Sequence, residues 1–149
     1  MNLLFINGSP NKDGNTVRLA KALIDGKDYN TIHLVDCKLY SYGQEYEDDQ
    51  FGEILSKMKA SDTIVIGSPV YWHNLSGAVR NLIDRFYGPV SQGELQGKRL
   101  FVLFQGASPE KWMLENGEYT MSRFAKLYGM EYMGMATGVS EAKELSKKV

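Results

Sequence analysis

Residues 1–23 read MNLLFINGSPNKDGNTVRLAKAL. Leu3 to Ile6 is an unbroken apolar run, the pattern of a parallel strand buried on both faces. Residues 8–16, GSPNKDGNT, form a loop of small hydrogen-bonding residues. Val17, Ala20 and Ile24 then recur at helical spacing, and Gly26 predicts the stop. This strand–loop–helix unit has two readings. A helix starting near Asn15 presents unpaired N–H groups and a positive dipole end to an anion such as phosphate. Ser9, Asn15 and Thr16 add side-chain donors, Gly14 permits close backbone approach, and Pro10 restrains the turn. The other reading is that Ser, Asn and Thr simply cap the helix. The loop is neither a Walker loop, since no Gly-Lys-Ser/Thr closes it, nor a G-x-G-x-x-G fingerprint.

Working outward, strands and helices alternate. Thr31 to Val35 reads as a second strand, followed by a tyrosine-rich acidic stretch from Tyr40 to Asp49. Phe51, Ile54, Leu55 and Met58 make one helical stripe. Thr63 to Ile66 is a third buried strand, followed by the loop SPVYWHN. Leu75, Val79, Leu82, Ile83 and Phe86 predict a helix that Gly88 and Pro89 end. Leu100 to Phe104 is the fourth strand, Gln105 to Pro109 a loop, and 117–128 a helix. Tyr132 to Ala136 predicts a fifth strand and 141–149 a short last helix. Five strands separated by helices make one three-layer α/β domain over residues 1–149, with a parallel sheet. The loops beginning at Gly8, Ser68 and Gln105 follow strands one, three and four, so all three meet at the carboxyl edge of the sheet. Ligands bind such sheets there.

Composition narrows the function. Lys and Arg number 17 against 18 Asp and Glu in 149 residues. That balance offers no footprint for nucleic acid or anionic lipid. The single cysteine, Cys37, excludes an internal disulfide and an all-cysteine metal or iron–sulfur cage within one chain. No apolar run approaches membrane-spanning length, and the N-terminus lacks a signal-peptide pattern, so a cytoplasmic protein without a membrane partner is expected. A cysteine phosphatase would need Cys37 to open an anion loop ending in Arg, and CKLYSYG has none. A phosphoacceptor receiver would need acidic residues where Asn7, Gly8 and Gly67 stand. His33, within a strand, and Cys37 are expected to be structural.

Residues 67–88, GSPVYWHNLSGAVRNLIDRFYG, carry the remaining signal. Pro69 predicts a turn that pushes Val70, Tyr71 and Trp72 outward. Exposed aromatics there suit a planar ligand, a core anchor or a dimer contact. FQGASP, residues 104–109, has the small residues needed where backbone runs close to a ring edge.

Together, GSPNKDGNT and SPVYWHNLSGAVRNLIDR resemble the flavodoxin-like NAD(P)H-dependent FMN reductases and the related iron–sulfur flavoproteins. The resemblance implies a five-stranded parallel sheet in the order 2-1-3-4-5 with helices on both faces. It implies that Ser9, Asn11, Gly14, Asn15 and Thr16 cradle the FMN phosphate. Pro69, Val70, Tyr71, Trp72 and His73 would contact the ring and ribityl chain, with Gly106 and Ala107 closing the far side. The implied activity is hydride transfer from NAD(P)H to FMN, then electron release to a small acceptor: a quinone, an azo or nitro compound, or a flavin. No obligatory catalytic side chain is implied, and a homodimer is. The alternatives are a flavodoxin-type electron carrier and a non-catalytic FMN-binding module. The iron–sulfur relatives' cysteine cluster is absent from CKLYSYGQEYEDD, so no cluster is expected. Asp84 and Arg85 match the family's helix-ending pair and are expected to serve as a plain ion pair rather than a substrate contact.

Overall fold

The computed structural model describes residues 1–149. The chain runs β1 (Leu3–Asn7), α1 (Asn15–Leu23), β2 (Asn30–His33), α2 (Phe51–Lys59), β3 (Thr63–Tyr71), β4 (Asn74–Leu75), α3 (Gly77–Asp84), β5 (Arg99–Gln105), α4 (Lys111–Leu127), β6 (Glu131–Ala136) and α5 (Val139–Leu145). The five long strands are parallel and lie in the order β2-β1-β3-β5-β6, which is the expected flavodoxin-like 2-1-3-4-5 arrangement. The sheet is buried on both faces. Leu3, Phe5, Val65, Phe101 and Leu103 pack under α1 and α5. Leu4, Ile6, Ile64, Ile66, Val102 and Phe104 pack under α2, α3 and α4. This two-sided burial is why the strands read as continuous apolar runs.

The structure differs from the sequence expectations at four places, each for a local reason. The second strand stops at His33 rather than Val35, because its only neighbour, β1, ends opposite it at Asn7. Leu34 to Asp36 turn instead into one turn of 3-10 helix. The third strand runs on through Tyr71, since β5 supplies partners as far as Pro69 opposite Gln105. Ser68, Pro69, Val70 and Tyr71 are therefore strand, not loop. A sixth, two-residue strand, β4, then pairs antiparallel with the end of β3, Val70 opposite Leu75 and Tyr71 opposite Asn74. Finally, α4 starts at Lys111, and Gly117 lies inside it. A Cβ on Gly117 would run into the Phe104 ring, so the glycine lets α4 lie close on β5. An interior glycine costs about 1 kcal/mol of helix propensity, which that close packing offsets.

Phe86 joins the layers beyond α3. It is fully buried, with ring edges meeting Phe51, Phe124 and Tyr128 at centroid distances of 5.6, 4.8 and 4.9 Å. One residue earlier, Arg85 grips the stretch 40–49. Its two terminal nitrogens donate to the two carboxylate oxygens of Asp49, both at 2.7 Å, and Nη1 also donates to the Tyr40 carbonyl at 3.0 Å. The guanidinium lies over the Phe51 ring, 5.1 Å from its centre. Asp84 and Arg85 thus pair with different partners: Arg85 forms a bidentate pair with Asp49 that anchors the tyrosine-rich stretch, and Asp84 pairs with Arg80 at 3.3 Å. The hydrogen bonds from Arg85 hold the Asp49 carboxyl below the usual carboxylate range.

Replacing Phe86 by Ala should cost about 3–5 kcal/mol, read from urea unfolding, because the cavity would open among three other rings. Asp49→Asn should cost about 1–3 kcal/mol near neutral pH, since it removes a charge-assisted fork from a half-buried arginine. The folded carboxyl titrates below its unfolded value, so the pair stabilises fully above the ordinary carboxylate range. That contribution disappears as the pH falls through the lowered folded value. The gap between wild type and Asp49→Asn should therefore close on acidification.

Candidate functional site

Three segments meet at the carboxyl edge of the sheet. The first is the loop from Gly8 to Gly14 between β1 and α1. The second is the hairpin of β3 and β4, and the third is the run from Gly106 to Glu110 before α4. Buried serines join the first to the second. The Ser76 hydroxyl donates to the Gly8 carbonyl at 2.9 Å and accepts from the Val79 N–H at 3.4 Å, capping α3. The Ser76 N–H donates to Ser68 Oγ at 2.8 Å, and the Gly8 N–H donates to the Gly67 carbonyl at 2.7 Å. A Cβ on Gly8 would strike Val79, and one on Gly67 would come within 2.6 Å of Thr16 Cγ2, so both glycines are needed for this close seam. Gln105 joins the first segment to the third, its Nε2 donating to Thr16 Oγ1 at 3.3 Å.

Within the first loop, the capping reading does not hold. The N-cap of α1 is Gly14, and no side chain caps the helix. The N–H groups of Asn15, Thr16 and Val17 consequently find no acceptor in the chain; the first helical bond is donated by Arg18 to the Gly14 carbonyl. Ser9 is buried, and its Oγ accepts from the Asn11 N–H at 3.1 Å while its own proton has no acceptor. Asn11 and Asn15 are exposed and Thr16 is fully buried. The loop's two charges turn away, Lys12 to Asp36 at 2.6 Å and Asp13 to Lys21 at 3.4 Å. What remains at the head of a nine-residue helix is a set of donors without acceptors, an arrangement that suits an anion. A Cβ on Gly14 would lie 2.9 Å from that of Asn11, so this glycine serves close packing inside the loop.

The second and third segments form a groove of ≈ 290 Å³ whose walls include Val70, Trp72, His73, Gly106, Ala107, Pro109 and Met113. Trp72 and His73 make the hairpin turn, and both hold positive φ, 48° and 67°. A two-residue hairpin loop matches strand twist only with left-handed residues, usually Asn or Gly, so this turn is strained. Trp72 is 94% exposed at its tip. The His73 ring meets the edge of Trp112, 5.9 Å between centres, and the Trp112 indole N–H donates to Glu110 Oε2 at 2.8 Å. Pro69 is buried in the strand, Val70 is half-buried, and Tyr71, on the opposite strand face from Val70, is exposed. Of the expected ring contacts, Val70, Trp72, His73, Gly106 and Ala107 line the groove together, whereas the buried Pro69 and the exposed Tyr71 do not line it. Asn15 borders a neighbouring hollow of ≈ 160 Å³ with Gln105 and Gly138.

Asn7, Ser76 and Met113 help build the site and escaped the sequence reading, while Ser68, Gln105 and Pro109 fell in segments it placed at the site without a role of their own. Ser76 had a signal, a serine just before an apolar helical stripe. Asn7 had one too, as a lone amide ending an apolar strand. Cys37 stays outside the chemistry, its thiol pushed up by burial and by the neighbouring Asp36.

The family model for NADPH-dependent FMN reductase matches residues 1–140. An iron-sulfur flavoprotein of Archaeoglobus fulgidus is 40% identical over 98 residues, 57% of this chain and 48% of that one. An NADPH azoreductase of Bacillus sp. strain OY1-2 is 34% identical over 56% of this chain and 49% of its own. These matches span about half the length of those curated relatives. Among solved structures, the Trp repressor binding protein from Bacillus subtilis superposes with a TM-score of 0.80 over 97% of this chain and 98% of that one, at 20% identity. An apo NADH:FMN oxidoreductase (EMOB) gives 0.72 over 99% and 87%, at 18% identity. Such likenesses carry the fold. With the family model covering nearly the whole sheet and its three carboxyl-edge loops, the chain belongs to the NADPH-dependent FMN reductase family.

Proposed function

We propose that this chain is an FMN-dependent oxidoreductase that takes hydride from NAD(P)H onto bound FMN and passes electrons to a small acceptor. A quinone, an azo or nitro compound, or free flavin are the acceptor classes. The observation that carries the reading is the uncapped head of α1, with three N–H groups and the Ser9 proton free of acceptors. Family membership supports it, and one relative bears the name NADPH azoreductase.

In this reading Ser9, Asn11, Gly14, Asn15 and Thr16 hold the FMN phosphate. Val70, Trp72, His73, Gly106 and Ala107 receive the ring, while Pro69 and Tyr71 hold the hairpin that carries two of them. Bound FMN would supply the hydride-accepting and electron-releasing chemistry; the chain supplies orientation, hydrogen bonds and shielding. No acidic or basic side chain of the groove has to move a proton. The unit works as a single flavodoxin-like domain over residues 1–149, in the cytoplasm, as a homodimer. The groove between α3 and α4, flanked by Tyr87 and Tyr119 at 63% and 66% exposure, supports the dimer. A net charge of −1 favours a reductase over an electron carrier, which docks its partners through a strongly acidic surface.

Asn15 is exposed in the first turn of α1, so Asn15→Asp should have effects of opposite sign. A carboxylate there complements the helix dipole and should raise stability by about 0.3–1 kcal/mol. The same charge should repel phosphate and weaken FMN binding by about ten-fold or more. Flavin fluorescence titration and thermal melting read the two effects; unchanged FMN affinity would refute the phosphate site. For the reaction, anaerobic NADPH or NADH should bleach the absorbance of FMN-loaded protein. Bleaching by dithionite but by neither nicotinamide would identify a carrier or a binding module instead.

A further inference from the structure

Asn7 ends β1, is fully buried, and uses every hydrogen-bonding atom of its amide. The Ser9 N–H donates to Oδ1 at 3.0 Å, which fixes that atom as the oxygen. Nδ2 donates to the Asn11 carbonyl at 3.2 Å, and its other hydrogen meets Nδ1 of His33 at 3.1 Å. An amide nitrogen has no lone pair to give, so His33 Nδ1 must be the acceptor and the ring proton must sit on Nε2. Asn7 in turn spans the loop at Ser9 and Asn11, two of the residues assigned to the phosphate.

We infer that His33 is a positioning residue for the phosphate loop, and that it holds Asn7, and hence FMN, only while its ring is neutral. The inference rests on the phosphate reading above. A second ring proton would place Nδ1–H against the Asn7 N–H, leaving a buried donor without an acceptor. Asn7 would then have to turn, releasing Ser9 N–H and the Asn11 carbonyl. The titratable and charged groups of the surrounding elements are few. Asp36 lies on the turn after β2 and is paired with Lys12 of the loop at 2.6 Å; the Cys37 thiol donates to the His33 carbonyl at 3.5 Å. α1, on the same sheet face, carries Arg18 and Lys21, the latter paired with Asp13; β1 carries none.

Asn at position 33 offers an oxygen at the same number of bonds from the backbone as Nδ1, but one that does not protonate; Leu offers no acceptor. FMN and riboflavin affinities of wild type, His33→Asn and His33→Leu should be measured at about pH 8 and about pH 5.5, on either side of the ordinary imidazole range. The FMN phosphate itself gains a proton near pH 6, equally in all three. His33→Asn should match wild type within about two-fold at the higher pH. On acidification wild type should lose about ten-fold more affinity than His33→Asn, the worth of one hydrogen bond to a buried donor. His33→Leu should be weak throughout. Parallel losses in wild type and His33→Asn would overturn the inference. So would ¹⁵N NMR of the wild-type ring showing a protonated Nδ1 at the higher pH, a measurement that needs no variant to fold. Riboflavin binding as tightly as FMN would remove the phosphate reading, and the inference with it, whatever the pH profiles.

Discussion

The hydrogen bond from the Ser76 hydroxyl to the Gly8 carbonyl, 2.9 Å long and buried, joins two loops separated by 68 residues of chain. The carboxyl edge of a parallel sheet leaves every strand's successor loop free to diverge. Here that freedom is removed at one point, because the same serine also caps α3 and takes its N–H to Ser68 Oγ. Closing the seam demands glycine at 8 and 67, where any side chain would meet Val79 or Thr16. Gln105 extends the seam to the third segment through Thr16. The donors at the head of α1 and the groove beside Val70 and Gly106 are therefore held as one rigid edge, which suits a ligand with an anionic end and a flat end.

The hairpin at Trp72 and His73 departs from local preference. Two non-glycine residues at positive φ cost of the order of 1–3 kcal/mol each. The pairing of Val70 with Leu75 and Tyr71 with Asn74, and the burial of Leu75 and Ser76, offset that cost. An indole left 94% exposed at the tip adds nothing to the fold's own stability. Strain and exposed aromatic surface gathered beside a groove are the pattern of a site shaped for a partner outside the chain.

Much of this was legible in the residues. Leu3 to Ile6, Thr63 to Ile66 and Leu100 to Phe104 announced buried parallel strands, because both faces of each are covered. Their alternation with helical stripes implied the layers, and the spacing of the loops implied the shared edge. The end of β2 was not legible: Leu34 and Val35 suit a strand, but no partner backbone remains beyond Asn7. Nor was the extension of β3 through Pro69, which depends on how far β5 reaches alongside. Gly117 reads as a helix boundary until the Phe104 ring is in view.

At the site, the sequence by itself determined the inventory: small donors around a helix start, aromatics after the third strand, and glycine and alanine after the fourth. Local chemistry was enough, since those residue types are poor choices for anything but tight turns and close approach. Tertiary structure decided which donors are free and which are spent. Ser9 Oγ only accepts, from the Asn11 N–H, and Thr16 Oγ1 only accepts, from Gln105 Nε2, whereas Asn7, Ser76 and Gln105 spend donors on neighbours distant in the chain or around the loop. Hydrogen bonding is satisfied in space rather than along the sequence. For that reason only the folded chain shows that nothing caps α1 and that the tautomer of His33 matters to the loop.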